Sequence, residues 1–402
     1  MMKPKILLVP PDGSRPYSYG GVLTNLYYHQ FTRAGKHVDI LPALGTHAPM
    51  DSAELSAFFG EGIPPERFLV HDWRNGVEKI GEIPAEYVRE VISDGIGGNM
   101  DSGGGNGVGT DSVFGETVRA LFSQNIPVEI SKYLTDPSYE SILSIGQVVP
   151  HEVAGMANYT KNIVVGCGGS GFINASHMVG AAYGIERTQG KTNTPVRKLF
   201  DYAEERFLSR LPIVYALTVV ESETLCGLFV GRGRAIFEKA AALSAERNIT
   251  YVAEPIKNCV VNLGEGVRST WLGNKAIYRT RMAIADGGSL LVLAPGVNRF
   301  GEDDENDRLI RKYGYSGRER VLSLCATEKD LQENLSVAAH LIHGSTDGRF
   351  TVTYAAPRLG REAVEAVGYR YMEWEEAVKL KDADGAYYIE NPATGLWSLS
   401  GS

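Results

Sequence analysis

Three residues in the middle of the chain have the types and spacing for proton transfer, metal binding and covalent attachment. They are His151, Lys161 and His177, in the stretch HEVAGMANYTKNIVVGCGGSGFINASHMVG. A fourth, His47, lies upstream in LGTHAPM. Imidazole exchanges a proton near neutral pH, or binds a borderline metal through a neutral ring nitrogen. A lysine among such groups serves as a covalent attachment point or as a cation for a carboxylate. The remaining histidines, His29, His37, His71, His340 and His343, read as surface or packing residues. Around His71, Asp72 and Asn75 make HDWRN a turn.

The elements that must position these residues alternate between strands and helices. KILLVP at 5–10 reads as a buried first strand and HVDILPAL as a second. ESILSIGQVVP at 140–150, NIVVG at 162–166 and PIVYALTVVE at 212–221 read as further strands. Helices are expected over 20–35, over 51–59 behind an Asp51 cap, over 84–95 closed by Gly95, over 194–211 and over 233–247. The rhythm then repeats, with IKNCVVNLG, a helix from Lys275, SLLVLAP, a helix from Asp303 and ERVLSLC. Such alternation predicts an α/β protein of two domains with mostly parallel sheets, residues 1–247 and 248–402, and an active site in the cleft between them. Ligands of open α/β sheets gather at the carboxyl ends of strands. Asp12 and Arg15 follow the first strand, His47 the second, His151 the third, and Lys275 follows IKNCVVNLG.

Composition narrows the function classes. The chain has 402 residues, 43% hydrophobic and 22% charged, which is ample for a large core. A net charge of −8 gives no basic footprint for nucleic acid. The four cysteines, Cys167, Cys226, Cys259 and Cys325, form no CxxC pair, so they read as reduced thiols of a cytoplasmic protein. Residues 162–185 carry no Asp, Glu, Lys or Arg and are long enough to span a bilayer. Their glycines, asparagines and His177 fit a buried path through a site better, so no membrane partner is expected. The Gly-rich stretch 95–112 reads as a flexible loop, or as a lid or anion cradle. EDDEND at 302–307 reads as a solvated loop or helix start.

GCGGSG at 166–171 matches the dinucleotide pattern G-x-G-x-x-G, with Glu186 downstream. It supports one alternative, an NAD-dependent oxidoreductase. Another is a binding protein that keeps the fold without catalysis.

Five words in order along the chain resemble the lactate racemase family, the nickel-pincer nucleotide-dependent racemases and epimerases of 2-hydroxy acids. DGSRP at 12–16 resembles the family's D-x-[ST]-R-P, and LGTHAPMDSAEL its G-T-H-R-P-M-x-x-x-E-L. VVPHEVAGMANYTKN resembles its P-H with a lysine ten residues on, and His177 falls sixteen residues past that lysine, as in the family. LGNKAIYRTRMAIADGGSLLVLA resembles its second-domain lysine helix leading to a D-G-G strand.

The resemblance implies a set of roles. Lys161 would hold the pincer nucleotide, a pyridinium-3,5-bisthiocarboxylic acid mononucleotide, through a thioamide. His177 would complete the nickel coordination. His47 and His151 would be the acid/base pair, Arg15 and Lys275 would grip the substrate carboxylate, and Asp12 would orient a neighbour. Such chemistry suits a 2-hydroxy acid, whose C2–H is a weak acid. Taking the hydroxyl proton while hydride leaves C2 avoids a carbanion. Partners would be a small 2-hydroxy acid and, transiently, the enzymes that make the cofactor. Two departures bear on substrate. The family's H-R-P is His47-Ala48-Pro49 here, and the Gln three residues before the second-domain lysine is Leu272, after Trp271. Loss of a cation and a polar contact points to a substrate larger than lactate, such as a sugar acid.

Overall fold

The computed structural model describes residues 4–97, 113–393 and 395–400. Most of the Gly-rich stretch, residues 98–112, lies outside them, and with it the loop, lid and cradle readings. The described chain forms two compact units. The first comprises 1–95, 122–176 and 190–247. The second takes in Asn248–Ser402 together with His177–Gln189 and the helix Val113–Leu121.

The first unit is built on a five-stranded sheet in the order His37–Ile40, Lys5–Val9, Tyr139–Gln147, Ile213–Glu221, Thr224–Gly231. Its first four strands pair in parallel, with Leu7 opposite Asp39 and Ile142. The fifth closes an antiparallel hairpin. Strands covered on both faces read as continuous apolar runs, as KILLV and SILSIG do. Leu8, Ile40 and Ile145 are fully buried against Leu23 and Tyr28 of the helix Gly20–Arg33. Truncating one of them to alanine costs about 2–5 kcal/mol. The helix Ser52–Phe59 starts where Asp51 caps Ala53 and Glu54, with the Glu54 side chain returning to the Asp51 amide.

The second unit has an all-parallel sheet in the order Arg370–Tyr371, Thr351–Ala355, Ile284–Leu293, Ile256–Asn262, Ala386–Glu390. Val260, Leu291, Leu293 and Ala355 form its core with Ala377. The fold is thus α/β with mostly parallel sheets. Among the described residues no helix is long and apolar enough to cross a membrane. The four cysteines are unpaired.

Local structure departs from expectation in four places. NIVVG is not a strand: residues Thr160–Val164 form a short helix. Its apolar side chains are buried all round, and such a run has no period to separate strand from helix. ERVLSLC is likewise helical, within Arg318–Thr327, where Val321, Leu322 and Cys325 fall on one buried face. Asp347 accepts a hydrogen bond from the amide of Arg318, the first residue of that helix. The helix Ala85–Gly97 runs past Gly95. The helix expected over 194–211 is α only over Pro195–Ala203 and continues as a π-helical turn, Glu204–Leu208.

Candidate active site

In the first unit, the carboxyl ends of neighbouring strands bring Asp12 and His47 together. The backbone beyond both strands stays paired, Pro11 bridging to Ala43, before each chain turns away. His47 Nδ1 then lies 2.6 Å from Asp12 Oδ2. The other carboxylate oxygen accepts from the Ser14 hydroxyl at 2.5 Å and the Ser14 amide at 3.3 Å. Asp12 is 7% exposed. Burial alone would raise its carboxyl, but the His47 hydrogen bond and charge, the Ser14 hydroxyl and the Arg15 guanidinium outweigh that, and the pKa falls below the ordinary 3.8. An ionised Asp12 takes the Nδ1–H of His47 and leaves Nε2 with an open lone pair on an exposed ring. This is the geometry of an oriented general base.

His151 lies on a short ribbon, and Lys161 on the helix that follows it. Pro150–His151 pairs antiparallel with Gly155–Met156, so His151 faces Gly155. His151 is 6% exposed, and its Nδ1 accepts from the amides of Val153 at 3.1 Å and Ala154 at 3.3 Å. The proton of the neutral ring therefore sits on Nε2. The Glu152 carboxylate lies 3.8 Å from the same Nδ1. The two histidines thus stand in opposite tautomers.

Past Met156 the chain bends through Asn158 and Tyr159, both with positive φ, at 65° and 59°. Non-glycine residues in this region cost on the order of 1–3 kcal/mol each. The Asn158 side chain packs over Gly146, where any Cβ would collide with it. Tyr159 starts the helix Thr160–Val164, which Asn162 ties to the sheet by donating to Val9 O at 3.1 Å and to the Ser144 hydroxyl at 3.0 Å. Lys161 keeps some exposed surface, yet protein packs densely around its amine. That desolvation, reinforced by the positive charges of Arg15 and Arg197 and opposed by Glu152 and Asp12, lowers its pKa to about 8. A lysine amine with a pKa lowered this far has a far larger unprotonated fraction near neutral pH than an ordinary lysine, which makes it a better nucleophile and attachment point.

GCGGSG has a packing role here. It follows the helix Thr160–Val164 rather than a strand, so the strand–turn–helix context of a dinucleotide site is missing. A Cβ on Gly166 would meet the Ala43 Cβ at 2.8 Å, and one on Gly171 would meet Pro127 at 2.7 Å. His71, buried, hydrogen-bonds the Gly168 carbonyl at 3.0 Å. His177 is half-buried on the helix Ser170–Tyr183 and is counted with the second unit.

In the second unit, Trp271, Leu272 and Lys275 sit on two consecutive short helices, Thr270–Gly273 and Lys275–Thr280. Trp271 stacks on His340 with centroids 4.5 Å apart and a 22° interplanar angle. His340 reaches the Tyr278 and Tyr315 hydroxyls, each at 2.9 Å, and Tyr315 reaches Thr270, also at 2.9 Å. Asn274, between the helices, accepts from the Tyr354 hydroxyl at 2.7 Å. This buried network fixes the backbone from which Lys275 projects. Among the described residues, no group of three or more His, Cys, Asp or Glu side chains is arranged to hold a metal ion.

The same architecture is found in solved structures. A protein from Thermotoga maritima aligns over 100% of this chain and 94% of its own at TM-score 0.82, with 22% identity. The lactate racemase apoprotein from Thermoanaerobacterium thermosaccharolyticum aligns over 98% of this chain and 87% of its own at TM-score 0.72, with 19% identity. The chain has the lactate racemase fold. No protein-family model matches the sequence, and no curated protein matches it.

Several contacts of this lactate racemase fold were absent from the sequence reading. Ser14 lies inside DGSRP, and its place two residues after an aspartate is a legible signal for a side-chain turn. Glu152, next to His151, and Arg197, whose charge acts on Lys161, carry no comparable signal.

Proposed function

We propose that this protein is a racemase or epimerase that inverts C2 of a 2-hydroxy acid, working with a nickel-pincer nucleotide tethered to Lys161. The observation that carries the reading is Lys161 itself: a desolvated lysine among the charges of Arg15, Glu152, Arg197 and Asp12, on the helix that follows the His151 ribbon, in a unit that also builds the His47–Asp12 pair. The residues fit the implied group. An unprotonated amine is the form that joins a thiocarboxyl carbon, and a pincer ligand brings most of the metal's donors, so one protein ligand, His177, suffices. When bound, the group supplies reversible acceptance of hydride from C2.

The rest of the work falls to side chains. His47 Nε2 takes the hydroxyl proton, and Asp12 holds the ring and stabilises the imidazolium. His151 presents Nε2–H as a donor to the substrate oxygen. For His151 to take a proton in its turn, its ring must release the Val153 and Ala154 amides, so the two histidines begin the cycle unequal. Arg15 and Lys275 are assigned the substrate carboxylate, and Trp271 and Leu272 the substituent at C2.

Leu272 and Ala48 stand where the lactate racemase pattern has Gln and Arg, which supports a substrate larger than lactate. The test is a chiral assay of a panel of 2-hydroxy acids on protein co-expressed with the cofactor-making enzymes. Faster inversion of sugar or aryl acids than of lactate is expected. Lactate as the fastest substrate would overturn the size assignment, and no inversion of any acid would overturn the racemase reading.

A further inference from the structure

Arg197 is a fully buried arginine with no carboxylate partner among the described residues. It lies in the first turn of the helix Pro195–Ala203, whose Thr194 cap accepts from the Arg197 amide at 3.1 Å. Its side chain has no exposed surface. One terminal nitrogen donates to the Met156 carbonyl at 2.5 Å, while Nε and the other terminal nitrogen meet no acceptor among the described residues. The guanidinium lies instead over two rings, Phe237 at 4.2 Å and Phe200 at 5.1 Å. Burial works against its charge, yet a guanidinium stays protonated in a protein. A buried cation left without an anion costs several kcal/mol, and aromatic faces return only part of that.

What this arginine touches suggests why the fold carries that cost. Met156 is the ribbon residue opposite Pro150, next to the His151–Gly155 pair. Phe237 stacks on Tyr159 at 5.4 Å and 17°, and Tyr159 also packs on Tyr215 at 4.5 Å. The guanidinium therefore holds one end of the strained bend directly, at the Met156 carbonyl, and reaches the other end, Tyr159, through the Phe237 ring; Tyr159 lies two residues ahead of Lys161. The groups acting on the Lys161 amine are Arg15, Arg197, Glu152 and Asp12. Those acting on Arg197 are Arg234 and the phenols of Tyr159 and Tyr215. The acid nearby, Glu204, is turned to the Tyr215 hydroxyl at 2.6 Å and the Thr160 hydroxyl at 3.1 Å.

We propose that Arg197 is a positioning residue for the Lys161 tether: it pins the Met156–Tyr159 bend from the Met156 side and sets an uncompensated buried positive charge among the groups that act on the lysine amine. The inference rests on the reading of Lys161 as an attachment point but is tested on the full-length protein carrying no attached group. Brief treatment with acetic anhydride acetylates neutral amines. The nitrogen lone pair attacks a carbonyl carbon, the C–N bond forms, acetate leaves with the electron pair, and the amine proton passes to solvent. Labelling of Lys161 is followed by peptide mass from neutral to alkaline pH, with Lys329, whose side chain is 85% exposed, as reference.

Arg197→Gln keeps a donor for the Met156 carbonyl without the charge, and Arg197→Lys keeps the charge without the planar stack. The expected result is that the Lys161 midpoint moves to higher pH in Arg197→Gln, with roughly ten-fold less labelling at neutral pH, and stays near wild type in Arg197→Lys. A wild-type midpoint in folded Arg197→Gln overturns the proposal. Arg197→Met repeats the neutral substitution if the glutamine variant does not fold, and the same unmoved midpoint overturns it there. A missing adduct in loaded protein removes the tether reading and leaves this result standing.

Discussion

The Nδ1 of His47 lies 2.6 Å from the Oδ2 of Asp12, and Ser14 holds the opposite oxygen of that carboxylate. In the proposed reading this contact orients the exposed imidazole as a base, because an ionised carboxylate fixes which ring nitrogen carries the proton. His47→Ala is expected to lower inversion by about 10²–10⁴-fold while nickel and the tethered group stay bound. Asp12→Asn is expected to fall in the same range, since an amide does not set the tautomer. Metal content and chiral turnover on the same samples check this. Full activity in either variant removes its acid/base role.

Asp12 also links the site to pH. Its carboxyl titrates below the ordinary range in the folded chain, so its contribution to stability is complete above about pH 4 and is lost as pH falls through the lower folded value. In Asp12→Asn that acid-side loss disappears. Thermal melts of both proteins from neutral to acidic pH measure it, and parallel curves would contradict the assignment.

The opposite tautomers of His47 and His151 are directly observable. Nitrogen-15 spectra of histidine-labelled protein near neutral pH are expected to show an unprotonated Nδ1 and a protonated Nε2 for His151, and the reverse for His47. His47→Ala and His151→Ala assign the signals. A protonated Nδ1 on His151 would sink the idea that the two histidines start the cycle unequal.

Lys161 sets function against stability. Its pKa is near 8 in the folded chain against an ordinary 10.5, so the unfolded chain binds more protons between those values. Stability therefore rises with pH through that window, and below it the buried ammonium is a net cost. Lys161→Met is expected to stabilise the protein at neutral pH by on the order of 1–3 kcal/mol, with the gain fading as pH rises past the ordinary lysine value. Denaturant unfolding at neutral and alkaline pH checks this; a destabilised methionine variant at neutral pH would contradict it.

The sequence carried the strand ends and little of what lies between them. KILLVP and HVDILPAL are short apolar runs stopped by turn residues, so the places of Asp12 and His47 after strands were readable. That the neighbour of Asp12 is His47 was not, because it depends on how two loops return from adjacent parallel strands. NIVVG misleads because burial on every side erases the period on which helix and strand differ. ERVLSLC is short enough for its helical spacing to pass as a strand. Arg197 was invisible for a different reason. An arginine in TPVRKLFDYAEERF reads as a solvent-facing residue, and its contacts come from Met156 and Phe237, about forty residues away on either side.

The central claim is that Lys161 carries the reacting group. Its most direct test is the intact mass and nickel content of protein co-expressed with the cofactor-making enzymes, followed by peptide mapping. The account predicts a covalent adduct on Lys161 with about one nickel per chain, lost in Lys161→Ala. Unmodified Lys161 and no nickel, in a preparation where a control homologue is loaded, would contradict it.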